Sequence, residues 1–179
     1  MSVLNKMIHQ FYRQAFLVLI FKLCIIFWAL PAYSQILDSN LYNWYIYEAF
    51  EEDMEFKKCY IVNYPFKSDT NDTARTRPYL MIARFQKTRE EEVSIFGGFD
   101  YKLSGLINIL IDNTQFNFKT KNDYAWAKTK SDDVRVIETL LRSSMVTVRS
   151  DSALGTYAVD QYNLKGITKA YKRMREMCR

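Results

Sequence analysis

Histidine is nearly absent from this chain of 179 residues, since the single one is His9. Histidine is the usual general base near neutral pH, and Ser-His-Asp or Cys-His catalysis requires one beside the nucleophile. Glycine is also scarce, and the Gly97-Gly98 pair is too short for a phosphate-binding loop. These shortages argue against histidine-dependent hydrolysis and nucleotide chemistry, and they predict no catalytic residue and no cofactor.

The first 34 residues contain neither Asp nor Glu. Three basic residues, an apolar run over 15–30, and small residues at Ala32 and Ser34 follow one another in the order of a secretory signal peptide. We therefore expect residues 1–34 to be a signal peptide that is cleaved between Ser34 and Gln35. Residues 35–179 would then form one exported domain.

Two alternatives to cleavage stay open. An uncleaved membrane anchor would need about 20 apolar residues. The run over 15–30 is shorter and contains Lys22, whose charge costs about 2.5 to 3.5 kcal/mol at the centre of a spanning helix. A lipid attached to Cys24 is disfavoured because Leu23, rather than a small residue, precedes it.

Cleavage would change the composition of the remaining chain. It would remove His9, Cys24 and the three basic residues, which are Lys6, Arg13 and Lys22. The 22 remaining basic residues face 20 acidic ones, so the net charge falls from +5 to +2. This near balance predicts that nucleic acid is not a partner.

Two cysteines, Cys59 and Cys178, would remain in an oxidising compartment. Such a pair favours a structural disulfide, the alternative being two buried free thiols. Two thiols without histidine do not supply the four ligands of a usual zinc site, so no metal site is predicted.

Alternating apolar residues predict a mainly β, or β-rich α+β, single domain. We expect an antiparallel sandwich or distorted barrel of about eight strands with two helices, the C-terminal one tied by the disulfide. The sequence predicts a polar loop over 69–76, a close backbone approach at Gly97-Gly98 and a hairpin turn at Asp112-Asn113. The strands are predicted around 44–47, 59–62, 78–85, 93–96, 106–111, 115–119, 145–148 and 156–164.

The two predicted helices follow different signals. The first opens at Ser131 as N-cap and carries an apolar stripe of Val134, Ile137, Leu140 and Leu141. The second presents Ile167, Ala170, Tyr171, Met174 and Cys178 on one face, which directs Cys178 inward. Its other face is basic, and it is either simply solvated or a peripheral contact for acidic lipid or polysaccharide. These basic residues are Lys165, Lys169, Lys172, Arg173 and Arg175.

Aromatic and acidic residues supply the remaining candidates for function. Tyr79, Tyr101 and Trp126, with the tyrosines at 45, 47, 60 and 64, are candidates for an aromatic binding surface, the alternative being a role in the core. Paired carboxylates hydrolyse glycosidic bonds without histidine or metal, which leaves a carboxylate-based hydrolase as an alternative. The carboxylates near predicted strand ends are Asp100, Asp112, Asp123 and Asp160, which otherwise serve as turn and cap residues.

Several short segments stand in a characteristic order. They are Trp44, Cys59-Tyr60, Arg77–Ile82, Glu92–Ile95, Gly97–Lys102, Ile111-Asp112, Phe116, Ala125–Ala127, Ser131–Asp133, Gly155-Thr156, Asp160–Leu164, Gly166 and Cys178. From Trp44 to Cys178 the chain resembles the invasion-associated locus B family of exported bacterial envelope proteins. It departs from that family at Asp112-Asn113, where a glycine is more usual.

The resemblance implies a small β-rich protein of the Gram-negative envelope, located in the periplasm or loosely attached to the outer membrane. The family has no established catalytic residues. It implies a non-enzyme that acts by binding an envelope or host-surface partner. A carboxylate-based hydrolase or a small-ligand carrier in the periplasm is the alternative function.

Overall fold

The structure is a computed structural model that describes residues 35–50, 55–102 and 105–179. The predicted signal peptide and Ser34 lie outside the described residues, and Gln35 is the first residue within them.

The described residues form eleven strands and two helices. The strands are β1 (Ile36–Leu41), β2 (Trp44–Phe50), β3 (Lys57–Asn63), β4 (Lys67–Thr70), β5 (Tyr79–Phe85), β6 (Glu91–Phe96), β7 (Leu106–Ile111), β8 (Thr114–Lys121), β9 (Tyr124–Trp126), β10 (Met145–Asp151) and β11 (Tyr157–Asn163). The helices are α1 (Lys130–Leu140) and α2 (Ile167–Met177). No helix of the described chain is long and apolar enough to cross a membrane.

All eleven strands join one antiparallel sheet, which confirms the predicted mainly β class. The order is β1-β2-β3-β5-β6-β9-β8-β7-β10-β11-β4, so β1 and β4 are its edges. The predicted number of eight strands is too low because β1, β4 and β9 are short or polar. The predicted polar loop over 69–76 is wrong at its start, since Asp69 and Thr70 pair with β11 as part of β4.

The sheet curves around a single main core. Ile46, Ile61 and Ile82 lie side by side across β2, β3 and β5, and all three are fully buried. They belong to the same apolar cluster as residues of β7, β10 and β11. The Asn63 side-chain amide donates to the Asn163 carbonyl at 2.9 Å, which links the two halves of the sheet directly. This curvature gives the sheet a buried concave face and an outer face.

Tight turns connect neighbouring strands. The turns β1-β2, β7-β8 and β8-β9 each contain two residues, and Tyr42, Asp112 and Asn122 adopt positive φ at the first of them. The predicted turn at Asp112-Asn113 is therefore confirmed. The Asp112 carboxylate also accepts hydrogen bonds from the backbone N–H groups of Ser144 and Met145, at 3.2 and 3.0 Å.

Gly98 is the close approach predicted for the Gly97-Gly98 pair. Its φ is +75°, and a Cβ atom at this position would collide with the Thr76 carbonyl oxygen. The Thr76 N–H donates to the Gly98 carbonyl at 2.9 Å. The loop before β5 is thereby held against the end of β6.

Helix α1 begins two residues earlier than predicted. Its N-cap is Thr129, whose hydroxyl accepts the N–H of Asp132 at 3.1 Å, so the prediction of Ser131 is wrong. The predicted stripe is also shifted, because Val134 is 56% exposed whereas Val136 is buried. The buried face consists of Asp133, Val136, Ile137 and Leu140.

Asp133 gives the fold a dependence on pH. Its carboxylate accepts the Val93 N–H at 2.8 Å, and burial raises its pKa to about 6 from 3.8. Because the folded state holds this proton more tightly than the unfolded chain, stability falls as pH rises from about 4 to about 6. We expect Asp133→Asn, which keeps the acceptor for Val93, to remove about 2 to 3 kcal/mol of that fall.

Chemical denaturation at pH 4, 5, 6 and 7 measures this effect. Asp151→Asn is the matched control, because Asp151 is an exposed strand carboxylate. The assignment is contradicted if both variants show the same pH dependence as the unmodified protein.

The disulfide between Cys59 and Cys178 is present, as predicted, and both residues are fully buried. It joins the last turn of α2 to β3. Ile167, Ala170 and Met174 are buried on the same helix face, so the predicted orientation of Cys178 is confirmed.

Polar contacts also hold α2. Arg84 donates from Nε to the Cys178 carbonyl at 3.1 Å and from Nη1 to Glu91 at 2.7 Å. The Tyr171 hydroxyl donates to the same carboxylate at 2.5 Å. Burial, with this bond to Glu91, raises the pKa of Tyr171 to about 12. The phenol therefore remains a donor at neutral pH.

Candidate functional site

The outer face of the sheet carries a continuous group of aromatic side chains. Successive side chains of a strand point to opposite faces, so residues two apart share a face. Tyr47 lies opposite Tyr60, and Phe96 lies opposite both Tyr79 and Tyr124. We call this surface the aromatic face. Its members are Tyr45, Tyr47, Tyr60, Tyr64, Tyr79, Phe96, Tyr124 and Trp126.

The aromatic face lies on the side of the sheet away from the main core. A second, smaller apolar cluster is centred there on Tyr60, Val62 and Ala83. Among the described residues, no helix residue belongs to it, whereas the buried residues of α1 and α2 belong to the main core. The rings of Tyr47, Tyr64 and Tyr79 are only partly buried. Part of each of these three rings is therefore accessible to a partner.

Ring contacts order the aromatic face. Tyr47 stacks on Tyr60 with centroids 5.2 Å apart, Tyr79 on Phe96 at 4.9 Å, and Tyr124 on Trp126 at 5.6 Å. An edge contact between Tyr79 and Tyr124 at 6.4 Å connects the last two pairs, and Tyr64 makes an edge contact with Tyr79 at 6.2 Å. Each aromatic pair contributes about 0.5 to 1.5 kcal/mol beyond its buried area. The rings thus hold one another in place before any ligand arrives.

A cavity of about 300 Å³ opens within the aromatic face. Its lining residues are Gln35, Tyr47, Ala49, Lys58, Tyr60, Val62, Tyr64, Tyr79, Met81 and Tyr124. Its volume is at the lower end of the range of small-molecule sites, about 300 to 1,000 Å³. The cavity fits a ligand of one or two rings.

The hydroxyls of Tyr60 and Tyr79 in this cavity stay protonated at neutral pH. Burial raises the pKa of Tyr60 to about 12, and its hydroxyl is buried without a hydrogen-bond partner. The hydroxyls of Tyr79 and Tyr124 lie 2.6 Å apart. Burial and this hydrogen bond raise the pKa of Tyr79 well above its usual value.

Cations surround these rings. The Arg77 guanidinium lies 3.8 Å from the centre of the Tyr64 ring, and Lys58 lines the cavity. Lys119 and Lys121 stand opposite Trp126 and Tyr124 on the next strand. The described residues of six strands, β2, β3, β5, β6, β8 and β9, contribute to this face or flank it. Among them, the strand register places one acidic residue on the face, which is Glu92. The aromatic face is therefore positively charged.

Two of the three aromatic residues singled out from the sequence meet on this face. Tyr79 and Trp126 are both members, and Tyr124 links them through ring contacts on either side. Tyr101 is a wrong prediction, because it is only 4% exposed and belongs to the main core. Its bridge to Ser152 turns the chain inward after β6.

Phe96 and Tyr124 are members that the sequence reasoning missed. A local signal exists for both. Tyr124 and Trp126 flank the buried Ala125, so both point to the opposite face of β9. Phe96 lies four residues after Glu92 on β6 and therefore shares its face. Only the strand order shows that these two rings meet, because β9 pairs with β6 although about 27 residues separate them.

The four candidate carboxylates have structural surroundings. Both oxygens of Asp160 bond to the Arg75 guanidinium, at 3.0 and 2.6 Å. Asp112 caps the start of β10, and Asp123 occupies the turn at the other end of β8, about 25 Å away along an eight-residue strand. Asp100 is exposed in the loop after β6. A group of three or more potential metal ligands is absent from the described ranges.

The basic face of α2 is partly neutralised by its own chain. Arg173 pairs with Asp38 at 2.7 Å, and Arg175 approaches Glu91 at 3.3 Å. Lys169 and Lys172 lie at exposed positions on the same helix. The aromatic face therefore combines more recognition chemistry than this helix does.

No family model, curated protein or solved structure matches this chain.

Proposed function

We propose that this protein is an exported, non-catalytic binding protein of the bacterial envelope, located in the periplasm or at the outer membrane. The observation that carries the proposal is the aromatic face, which is preformed and positively charged. Its partner would be an envelope component or a host-surface component. In this proposal the protein is of the same type as the invasion-associated locus B proteins, which its sequence resembles.

The chemistry of the aromatic face supports binding. Contiguous apolar surface is unusual on a monomeric soluble protein and marks interaction sites. Tyrosine, tryptophan and arginine are the residues most enriched among binding hot spots, and all three occur here. The signal-peptide pattern of residues 1–34 supports export.

The surroundings of the carboxylates do not favour the hydrolase. A glycosidase needs one carboxyl group as acid and a second as base or nucleophile about 5 to 10 Å away. Asp160 is already occupied by Arg75, and Asp112 and Asp123 stand at opposite ends of β8. The argument for a binding function uses none of these carboxylates.

Site-specific photo-crosslinking in intact producing cells tests the proposal. We expect a photoreactive residue in place of Tyr45 or Lys121, both on or beside the aromatic face, to trap a defined envelope component. Leu110 and Val134 are matched control positions, since they are 43% and 56% exposed and lie on β7 and α1. We expect Trp126→Ala to reduce capture roughly tenfold, as loss of an aromatic anchor typically does.

Two results would contradict the proposal. Capture that is equal at all four positions would show that the contact is not specific to the aromatic face. The proposal of export would be contradicted if mass spectrometry showed that the protein does not begin at Gln35 and if the protein were recovered from the cytoplasm.

A further inference from the structure

The cavity of the aromatic face has an aliphatic floor and phenolic walls. Val62 and Met81 stand opposite each other on β3 and β5, and both line it. Tyr47, Tyr60 and Tyr79 rise beside them as stacked rings. Because stacked rings cover one another's faces, mainly their edges are left to contact a ligand. A matching ligand needs an apolar surface for the floor and hydroxyl groups around its edge.

One pair of hydroxyls in this cavity has unused hydrogen-bonding capacity. Tyr60 contributes only its ring, because its hydroxyl is buried. The bond between Tyr79 and Tyr124 uses one of their two hydroxyl hydrogens. The other hydrogen is free to donate. Tyr79 and Tyr124 both line the cavity, so an acceptor oxygen of a ligand bound there can take this hydrogen bond.

Charge narrows the class of ligand. Lys58 lines the cavity, and Arg77 lies over Tyr64 at its wall. An anionic substituent, carboxylate or phosphate, would pair with the Lys58 ammonium inside the cavity. A sugar ring has an apolar C–H face and a rim of hydroxyls, which complement the floor and walls. We infer that this cavity binds one or two rings of an acidic glycan.

This assignment rests on the proposed function, because it names the ligand class of the same face. Two other classes fit the geometry less well. Single-stranded nucleic acid stacks its bases on open aromatic faces, whereas these rings are stacked on one another. An extended peptide adds to a sheet edge, and the edges are β1 and β4 rather than the strands that form the cavity.

Binding of the processed, oxidised protein to an oligosaccharide array tests the inference. The array carries uronic acid, sialic acid and sugar-phosphate oligosaccharides, each beside its neutral parent, with oligothymidylate as the nucleic-acid probe. We expect binding to acidic members, with at least tenfold weaker binding to their neutral parents and to oligothymidylate.

Paired variants locate the site. We expect the double variant Tyr79→Phe with Tyr124→Phe to weaken the acidic-oligosaccharide interaction about tenfold, because it removes the free hydroxyl hydrogen and so one hydrogen bond. Tyr101→Phe combined with Tyr162→Phe is the matched control, because both of these hydroxyls are buried without a partner but lie in the main core. We expect it to leave binding unchanged. Lys58→Gln should abolish the preference for the acidic over the neutral member, and thermal melting confirms that each variant is folded.

The inference is overturned if no acidic oligosaccharide binds, if neutral parents bind equally, if oligothymidylate binds better, or if the Tyr79–Tyr124 double variant and its Tyr101–Tyr162 control behave alike. Cross-linking at Tyr45 and Lys121 that persists in that case would leave the proposed function standing. Loss of that cross-linking would remove the proposed function itself.

Discussion

Replacing Cys59 and Cys178 together by alanine should lower the free energy of unfolding by about 5 kcal/mol. The disulfide closes a loop with a sequence separation of 119 residues. On the chain-entropy account, the unfolded chain loses about this much freedom when such a loop is closed. Folded domains are stable by about 5 to 15 kcal/mol, so the loss is a large share of the total. Alanine is preferred to serine because both sites are fully buried, where a serine hydroxyl would be left without a hydrogen-bond partner.

Urea denaturation measures this effect, and the single variants are its control. Either single replacement breaks the same bond, so each should cost nearly as much as the double replacement. The dependence on urea should also steepen, because the unfolded chain without the bond exposes more surface. A loss below about 1 kcal/mol, or single effects that add, would contradict a stabilising role through loop closure.

The Arg75–Asp160 ion pair should show the second large effect. Both side chains are nearly inaccessible, at 4% and 1% exposure. The Ser68 hydroxyl donates to Asp160 at 2.6 Å, and Arg75 also donates from Nε to the Gly97 carbonyl at 2.6 Å. The pair therefore joins edge strand β4 and its loop to β11 and the end of β6. Asp160→Asn should cost about 3 to 5 kcal/mol, because it leaves the guanidinium buried without its counter-charge.

A double-mutant cycle separates the pair from the cost of an orphaned charge. We expect Arg75→Met combined with Asp160→Leu to be markedly more stable than either single variant, since no unpaired charge remains. The Arg173–Asp38 pair is a matched control, because it is also a two-bond arginine–carboxylate contact but lies at the surface. Asp38→Asn should cost less than about 1 kcal/mol. Equal losses at Asp160 and Asp38 would contradict the importance of burial.

Local patterns predicted much of the fold. Aromatic and β-branched residues identified β3, an apolar run identified β5, and the spacing from Ile167 to Cys178 identified the buried face of α2. These signals succeed because the periods of strand and helix are properties of neighbouring residues. Residue type alone suggested most members of the aromatic face as candidates for a binding surface, including Tyr79 and Trp126.

Other features failed because distant residues decide them. Thr129 rather than Ser131 caps α1, since packing of Val136 and Ile137 against the core sets the helix phase. The polar segment Lys67–Thr70 has no apolar alternation and becomes strand β4 only because the edge of β11 is available to pair with it. Tyr101 satisfies the composition of a binding surface, yet the turn after β6 buries it.

By itself, the sequence determined the mainly β class, the two helices, the pairing of Cys59 with Cys178 and the scarcity of histidine. Each depends on residue identity or on spacing within one element. Only the tertiary structure decided that five strands place their aromatic residues on one face, that Arg75 meets Asp160, and that a cavity opens beside Tyr60. The physical reason is that these contacts depend on strand order and register, which join residues far apart in the chain.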